Sequence, residues 1–315
     1  VTRVAGIDCG TNSLRLLVRD LAAPPTPGSE LVRRNEIVRL GQDVDRTGRL
    51  AGDALERTRK VLVDYAAVCR ELGVARLRMV ATSATRDAAN RDTFVALVHD
   101  TLGVEPDVVT GDEEARLSFT GATLGLPPDL ASPLLVVDLG GGSTEVVLGT
   151  AEGGPTAAHS MDVGCVRLTE RRLHGDPVTS DEIAALRADV AAALDAAERD
   201  VPLREARSMI GLAGTVMTLA ALSLGLSEYD PLRVHHSRLS VGQVSALAAQ
   251  LAGSTHAERA ASPVIHPGRV DVIAAGALVL EQVMLRAGVP ELLASEADIL
   301  DGIALSAAGA KFAWS

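Results

Sequence analysis

At 315 residues the chain has room for two domains of ordinary size, and its 47% hydrophobic content can fill real cores. Aromatic residues make up only 2%, so those cores must be packed with Ala, Val, Leu and Ile. A net charge of −11 argues against general coating of nucleic acid, and no apolar run is long and charge-free enough to span a bilayer.

The elements follow in order. "VTRVAGIDCGTNSLRLLVRD" reads as strand, tight turn, strand, residues 24–30 as a loop, and "ELVRRNEIVRLG" as further β structure. Residues 51–73 have helical periodicity and a glycine stop. "RLRMVATSATRDAAN" is a strand running into a polar turn, and "RDTFVALVHDTLG" a second helix. "EPDVVTGDEEARLSFTGATLG" gives a strand, a turn at Gly111 and a helix capped by Asp112. Pro-rich residues 126–133 break both periodicities and mark a domain boundary. Beyond them come the glycine hairpin "VVDLGGGSTEVV" (136–147), a β segment around 157–164 and a Ser180-capped helix over about 181–199. "RSMIGLAGTVMTLAAL" reads as strand, glycine turn and helix, and the remainder as mostly helical.

Charge is uneven along the chain. Residues 1–124 carry 17 Lys+Arg against 18 Asp+Glu, a net of −1, and residues 125–315 carry 13 against 23, a net of −10. An anionic ligand therefore fares better near the first half or in an Arg-lined cleft. Cys9, Cys69 and Cys165 follow no metal or disulfide spacing, and no signal-peptide pattern is visible, which together predict reduced thiols in a cytoplasmic protein.

One long-range repeat stands out. Laying "VAGIDCGTNSLRLLV" over "LLVVDLGGGSTEVVL" pairs Asp8 with Asp138, Gly10 with Gly140 and Ser13 with Ser143. Both segments are hairpins whose turn opens with Asp-x-Gly and closes with a hydroxyl residue. The spacing predicts a duplicated half, with two loops facing each other across an interdomain cleft. Glycine turns expose consecutive backbone N–H groups, an anion-binding concavity, and two in opposition would grip a chain of phosphates. A single such turn would read as an ordinary hairpin.

Asp138 and Glu145 flank the second turn, and hard carboxylates beside phosphates suit Mg²⁺. Asp138 as a turn-initiating side chain and Glu145 as an exposed strand carboxylate are the plainer alternatives, and Asp8 is a weaker candidate of the same kind. Glu113 and Glu114 in a first helical turn either serve the macrodipole or supply one general base. Arg86 is either a phosphate clasp or a solvated surface residue. Gly211, Gly214 and Thr215 lead into a helix whose N-terminus attracts anions, including a nucleotide, although close packing explains them equally. His235 and His236 with Arg233 and Arg238 form a cationic surface loop without metal-ligand spacing, and Cys9 is a small filler. Gly-x-Ser-x-Gly and H-E-x-x-H are both missing from the sequence, which removes the common serine and zinc hydrolases.

"GIDCGTNSLRLL", "ATSATRDAAN", "GDEEARLSFTG", "VVDLGGGSTEVV", "GCVRLTERRL", "GLAGTVMTLAAL" and "HPGRVDVIAAGALVLEQVM" together resemble the exopolyphosphatase/guanosine pentaphosphate phosphohydrolase (Ppx/GppA) family over nearly the whole chain. The resemblance implies a duplicated actin-like α/β fold of the ribonuclease H type, with two domains around a cleft. Its first domain would be residues 1–125 with a returning helix at about 299–315, and its second 126–298. It implies Glu114 as catalytic base, Asp138 and Glu145 at a Mg²⁺ or other divalent ion, beside which Asp8 stays the weaker candidate read from the overlay, and Gly10, Thr11, Asn12, Ser13, Arg86, Gly140, Gly141, Gly142, Ser143 and Thr144 at phosphate. The family often has Ser where this chain has Thr11, which keeps the hydroxyl. Longer members carry extra C-terminal helical domains that this sequence does not include, so short polyphosphates are the expected substrates. Guanosine pentaphosphate is the alternative, with a homodimer and neither nucleic acid nor membrane as partner. An actin-like ATPase or sugar kinase and a non-catalytic polyphosphate sensor are the readings from other classes.

Overall fold

The computed structural model describes residues 1–22 and 27–309, so the expected loop at 24–30 lies partly outside the described residues, and strand structure is already present from Pro27. The chain forms two compact units: Val1–Gly121 together with the stretch from Ile299 onward, and Ala122–Asp298.

In the first unit the strands are β1 (Thr2–Cys9), β2 (Ser13–Leu21), β3 (Pro27–Ile37), β4 (Arg76–Ala81) and β5 (Asp107–Val108). They lie in the order β3-β2-β1-β4-β5, an antiparallel meander followed by two strands parallel to β1. Its helices are α1 (Val44–Thr47), α2 (Gly52–Glu71), α3 (Ser83–Asp87), α4 (Arg91–Leu102) and α5 (Gly111–Ala122). Strand side chains alternate between faces, and here both faces are covered. Ala5, Ile7, Leu14 and Leu16 pack with Leu62, Tyr65 and Phe94 of α2 and α4 on one side. Val4, Leu17 and Leu21 pack on the other side with Leu300 and Ala304.

The second unit repeats the plan. Its strands are β6 (Leu134–Leu139), β7 (Thr144–Thr150), β8 (Gly154–Met161), β9 (Ser208–Leu212), β10 (Arg238–Ser240) and β11 (Glu291–Ala294), in the order β10-β11-β9-β6-β7-β8. Again three strands form an antiparallel meander, β6-β7-β8, and two run parallel beside it, β9 and β11. The helices are α6 (Cys165–Arg172), α7 (Ser180–Ala197), α8 (Ala213–Ser223), α9 (Pro231–Val234), α10 (Val241–Gly253), α11 (His256–Ala260) and α12 (Ile273–Ala287). A final helix, α13 (Ile299–Ser306), belongs to the first unit. Residues 273–280 of α12 are apolar all round and buried throughout, because a helical stretch without a polar face has no side to give to water. This is the duplicated actin-type α/β arrangement.

Local details differ from the expectations. The polar turn after β4 is the short helix α3, and the last third of the chain contributes two strands, β10 and β11. α5 begins two residues early, and its Glu113 N–H bonds the Thr110 hydroxyl at 3.2 Å, so Thr110 and not Asp112 caps it. α7 is capped by Thr179 rather than Ser180, in a reciprocal capping box with Glu182. No described helix is long and apolar enough to cross a membrane.

All three cysteines are free and buried. Burial pushes the Cys69 thiol up to about 12 and the Cys165 thiol up to about 11, and burial beside the Asp8 carboxylate raises Cys9 well above its usual value. The thiolate is the reactive species. Native protein at pH 7.5 is therefore expected to take up almost no iodoacetamide, and full labelling should need denaturant; rapid labelling of any one thiol by mass spectrometry would contradict this.

Candidate active site

The repeat seen in the sequence is a repeat of hydrogen bonds. Pairing ends at Cys9–Leu14 in one hairpin and Leu139–Thr144 in the other, leaving loops at 10–13 and 140–143. Each is closed in the same way: Gly10 N–H donates to the Ser13 carbonyl at 3.0 Å, and Gly140 N–H to the Ser143 carbonyl at 3.0 Å.

Both loops are also tied off from behind. The Thr11 carbonyl accepts from Gly41 N–H at 2.8 Å, and the Asn12 carbonyl from Val38 and Arg39 N–H at 3.0 and 2.9 Å. In the second loop the Gly140 carbonyl accepts from Cys165 N–H at 3.0 Å, and the Gly141 carbonyl from Val166 and Arg167 N–H at 2.8 and 3.1 Å. Arg167 Nε donates to the Gly142 carbonyl at 2.6 Å. A trans peptide directs the next N–H opposite to its carbonyl. Asn12 and Ser13 in one loop, and Gly141, Gly142 and Ser143 in the other, therefore turn their N–H groups away from the backing. With the carbonyls satisfied, what remains is a positive nest for an anion. A glycine makes each backing contact possible: a Cβ at Gly164 would collide with the Gly141 carbonyl, and one at Gly41 with the Thr11 side chain.

In the first unit the candidate groups gather at the carboxyl ends of the parallel strands, the usual ligand edge of an open α/β sheet. The loop follows β1, α3 follows β4 and α5 follows β5. Thr11 and Ser83 hydroxyls are 2.9 Å apart and buried, tying the loop to α3. Arg86 of α3 donates from Nη1 to the Glu114 carboxylate and to the Val109 carbonyl, both at 3.0 Å. Glu114 is only 7% exposed, whereas Glu113 is exposed and paired with Arg78, which settles which acid is held inside. Asp8 is gripped by its cross-strand partner Arg15, whose Nε and Nη2 reach Oδ2 at 3.0 and 2.6 Å.

At the matching position of the second unit, Asp138 lies directly across the ladder from Glu145, and Glu145 across from Ser160. Directly opposed side chains share a face. Both carboxylates are buried, and the Ser160 hydroxyl donates to Glu145 Oε1 at 2.7 Å. Not every expected phosphate ligand offers its side chain. Thr144 gives its hydroxyl to the Val163 carbonyl at 2.5 Å, and the Thr11 hydroxyl lies against that of Ser83. Gly211 packs tightly against Val216 and Leu292, and Gly214 seats the Arg269 guanidinium. Within the cationic patch Arg238 pairs with Glu291 and Asp129 at 2.5 and 2.7 Å. His235 and His236 stack with ring centroids 3.7 Å apart.

Sequence reading missed Arg15, Ser83, Ser160 and the two backing segments. Arg15 could have been found, because the same overlay that pairs Asp8 with Asp138 sets Arg15 on Glu145. Nothing local marks Ser83 or Ser160, which reach their partners only through sheet packing.

An α/β protein with two backbone nests, a buried Arg-held glutamate and a buried carboxylate pair is built to handle polyanions. Residues 26–306 match the model of the Ppx/GppA phosphatase family, and this chain belongs to that family. It is 49% identical to exopolyphosphatase 2 of Mycobacterium tuberculosis, covering 98% of this chain and 99% of that protein. Among solved structures, an exopolyphosphatase-like protein is 44% identical with a TM-score of 0.92, covering 96% of this chain and 98% of that one. The Ppx/GppA family member of Aquifex aeolicus is 31% identical with a TM-score of 0.78, covering 97% of each chain.

Proposed function

We propose that this protein is an exopolyphosphatase, releasing the terminal phosphate of inorganic polyphosphate by hydrolysis. The observation that carries the reading is the matched pair of nests whose carbonyls are bound from behind. The family membership and the name of the 49% identical relative support it.

Phosphate oxygens are received by the outward N–H groups of each loop. Both Arg86 bonds leave from Nη1, so its Nε and Nη2 donors remain for a phosphate oxygen. Glu114 orients the attacking water and takes its proton. A carboxylate paired with an arginine is a weak base. That suffices for phosphoryl transfer, whose loose transition state asks for an oriented water more than for early deprotonation. Attack proceeds in line, and the shortened chain leaves with its charge held by hydrogen bonds.

The residues present fit a divalent ion. Asp138 and Glu145 lie directly opposite each other on one face of the sheet and offer carboxylate oxygens, the donor type that hard divalent ions take. Mg²⁺ typically takes one or two protein carboxylates, completing its shell with water and substrate oxygens. Asp138 and Glu145 would hold it, with Ser160 steadying Glu145, and a bound ion would neutralise substrate phosphate. The reading also includes a cytoplasmic location and a homodimer.

The test is phosphate release from polyphosphates of several defined lengths and from guanosine pentaphosphate, in Mg²⁺ and in EDTA. Release from polyphosphate that needs the ion is expected. Release from the nucleotide alone would replace the substrate, and binding without release from either would overturn the hydrolase.

A further inference from the structure

We infer that Arg57 of α2 is a positioning residue for phosphate: without touching the first glycine loop, its guanidinium holds the segment that binds that loop from behind, and so fixes the outward N–H groups of Asn12 and Ser13. This rests on the reading of the loops as phosphate nests.

The segment Val38–Gln42 follows β3, and the N–H groups of Val38, Arg39 and Gly41 donate to the Asn12 and Thr11 carbonyls. Arg39, with φ 51°, and Asp43, with φ 61°, lie in the left-handed region. Residues other than glycine keep that conformation only where their surroundings impose it. Arg57 is part of what imposes it. Its Nε donates to the Val38 carbonyl at 2.8 Å, and its Nη2 to Gln42 Oε1 at 3.2 Å and to the Arg39 carbonyl at 3.4 Å. One guanidinium thus spans the segment from Val38 to Gln42, a task suited to a planar fork of fixed donors. It stands on α2, whose Leu55, Thr58 and Leu62 are buried, so the clamp is anchored in the core of its unit.

The bonds also line up electrically. The Val38 carbonyl and the Arg39 N–H belong to one peptide group, and the Asn12 carbonyl and the Ser13 N–H to another. Arg57 Nε therefore begins a head-to-tail row: guanidinium to Val38 carbonyl, Arg39 N–H to Asn12 carbonyl, and Ser13 N–H out into the nest. A bond accepted at one end of a peptide group strengthens donation at the other. The second unit does the same with one link fewer. Gly142 corresponds to Asn12 in the repeat (142 − 12 = 138 − 8 = 130), and Arg167 Nε donates straight to its carbonyl at 2.6 Å. Both nests are backed at the same carbonyl by an arginine Nε, directly or through one peptide.

Steady-state phosphate release from polyphosphate by the full chain tests this. Arg57→Ala should raise KM at least about threefold with kcat within about twofold, the effect of weakening a hydrogen bond or two to a bound anion. A merely loosened fold would instead lose active molecules and lower the apparent kcat. Arg57→Gln sets an amide N–H where Nε stands, so the Val38 bond is kept and KM should fall between wild type and Arg57→Ala. Asp53→Asn removes the exposed ion pair to Nη1 and should leave KM within about twofold. Independently of turnover, amide hydrogen exchange over residues 37–43 should quicken at least about tenfold in Arg57→Ala. A smaller KM rise in Arg57→Ala, unchanged exchange there, or an equal KM rise in Asp53→Asn would overturn the inference while leaving the nests as phosphate sites. A wild type that releases no phosphate from polyphosphate would instead overturn the reading beneath it.

Discussion

Glu114→Gln is expected to lower the turnover of polyphosphate by about 10²–10⁴-fold, the usual contribution of a positioned general base. The substitution keeps the size of the side chain and an oxygen that can still accept from Arg86 Nη1, so α3 and α5 should stay in place. KM should change little, because in the proposed reading phosphate is held by the nests and Arg86 rather than by Glu114 itself. Arg86 is partly exposed, so water can solvate it where the carboxylate charge is lost. Glu113→Gln is the control: that side chain is exposed and engages Arg78, and its turnover should remain near wild type. Phosphate release at saturating polyphosphate measures both. Undiminished turnover in a folded Glu114→Gln protein would remove this residue from the chemistry.

A second large effect is expected in stability. Asp301 of α13 is 2% exposed and accepts from Arg19 Nη1 at 2.9 Å and from Arg33 Nη2 at 2.9 and 3.0 Å. It thereby fastens α13 to β2 and β3, which are nearly 300 residues away in sequence. Removing one partner of a buried ion pair leaves the other charge uncompensated, at a cost of about 3–5 kcal/mol. Asp301→Ala should therefore lower the thermal midpoint of the first unit by about 6–20 °C, at roughly 2–4 °C per kcal/mol for a unit of this size. Arg33 is better solvated and can turn to Glu30, so the buried Arg19 bears most of the loss. Asp301→Asn keeps a carbonyl acceptor and should fall in between. Calorimetry that resolves the two units is the measurement. A shift below about 2 °C would mean that the apolar contacts of Leu300 and Ala304 alone hold the helix.

Much of the site could be read without coordinates because it is local. Asp-x-Gly hairpins, their flanking apolar runs and the glycine stops depend on neighbours a few residues away, and both loops were found from them. Short strands were harder. β10 has three residues, too few for periodicity, and β11 has four between helices. The caps slipped by one residue at α7 and by two at α5 for a similar reason. Thr110 and Asp112 are both good capping types, and the choice depends on where the β5 connection releases the chain.

The sequence by itself determined the duplicated hairpins, the resemblance to one family and the identity of the acids beside the glycine turns, since each is written in contiguous residues. Only the tertiary structure decided what those acids face. Strand register set Arg15 on Asp8 and Glu145 on Asp138, α3 brought Arg86 to Glu114, and α6 and the 38–41 segment closed the loop carbonyls. These are contacts between segments that meet only when the sheets and helices pack, and a charge acquires its role from the partner that packing gives it.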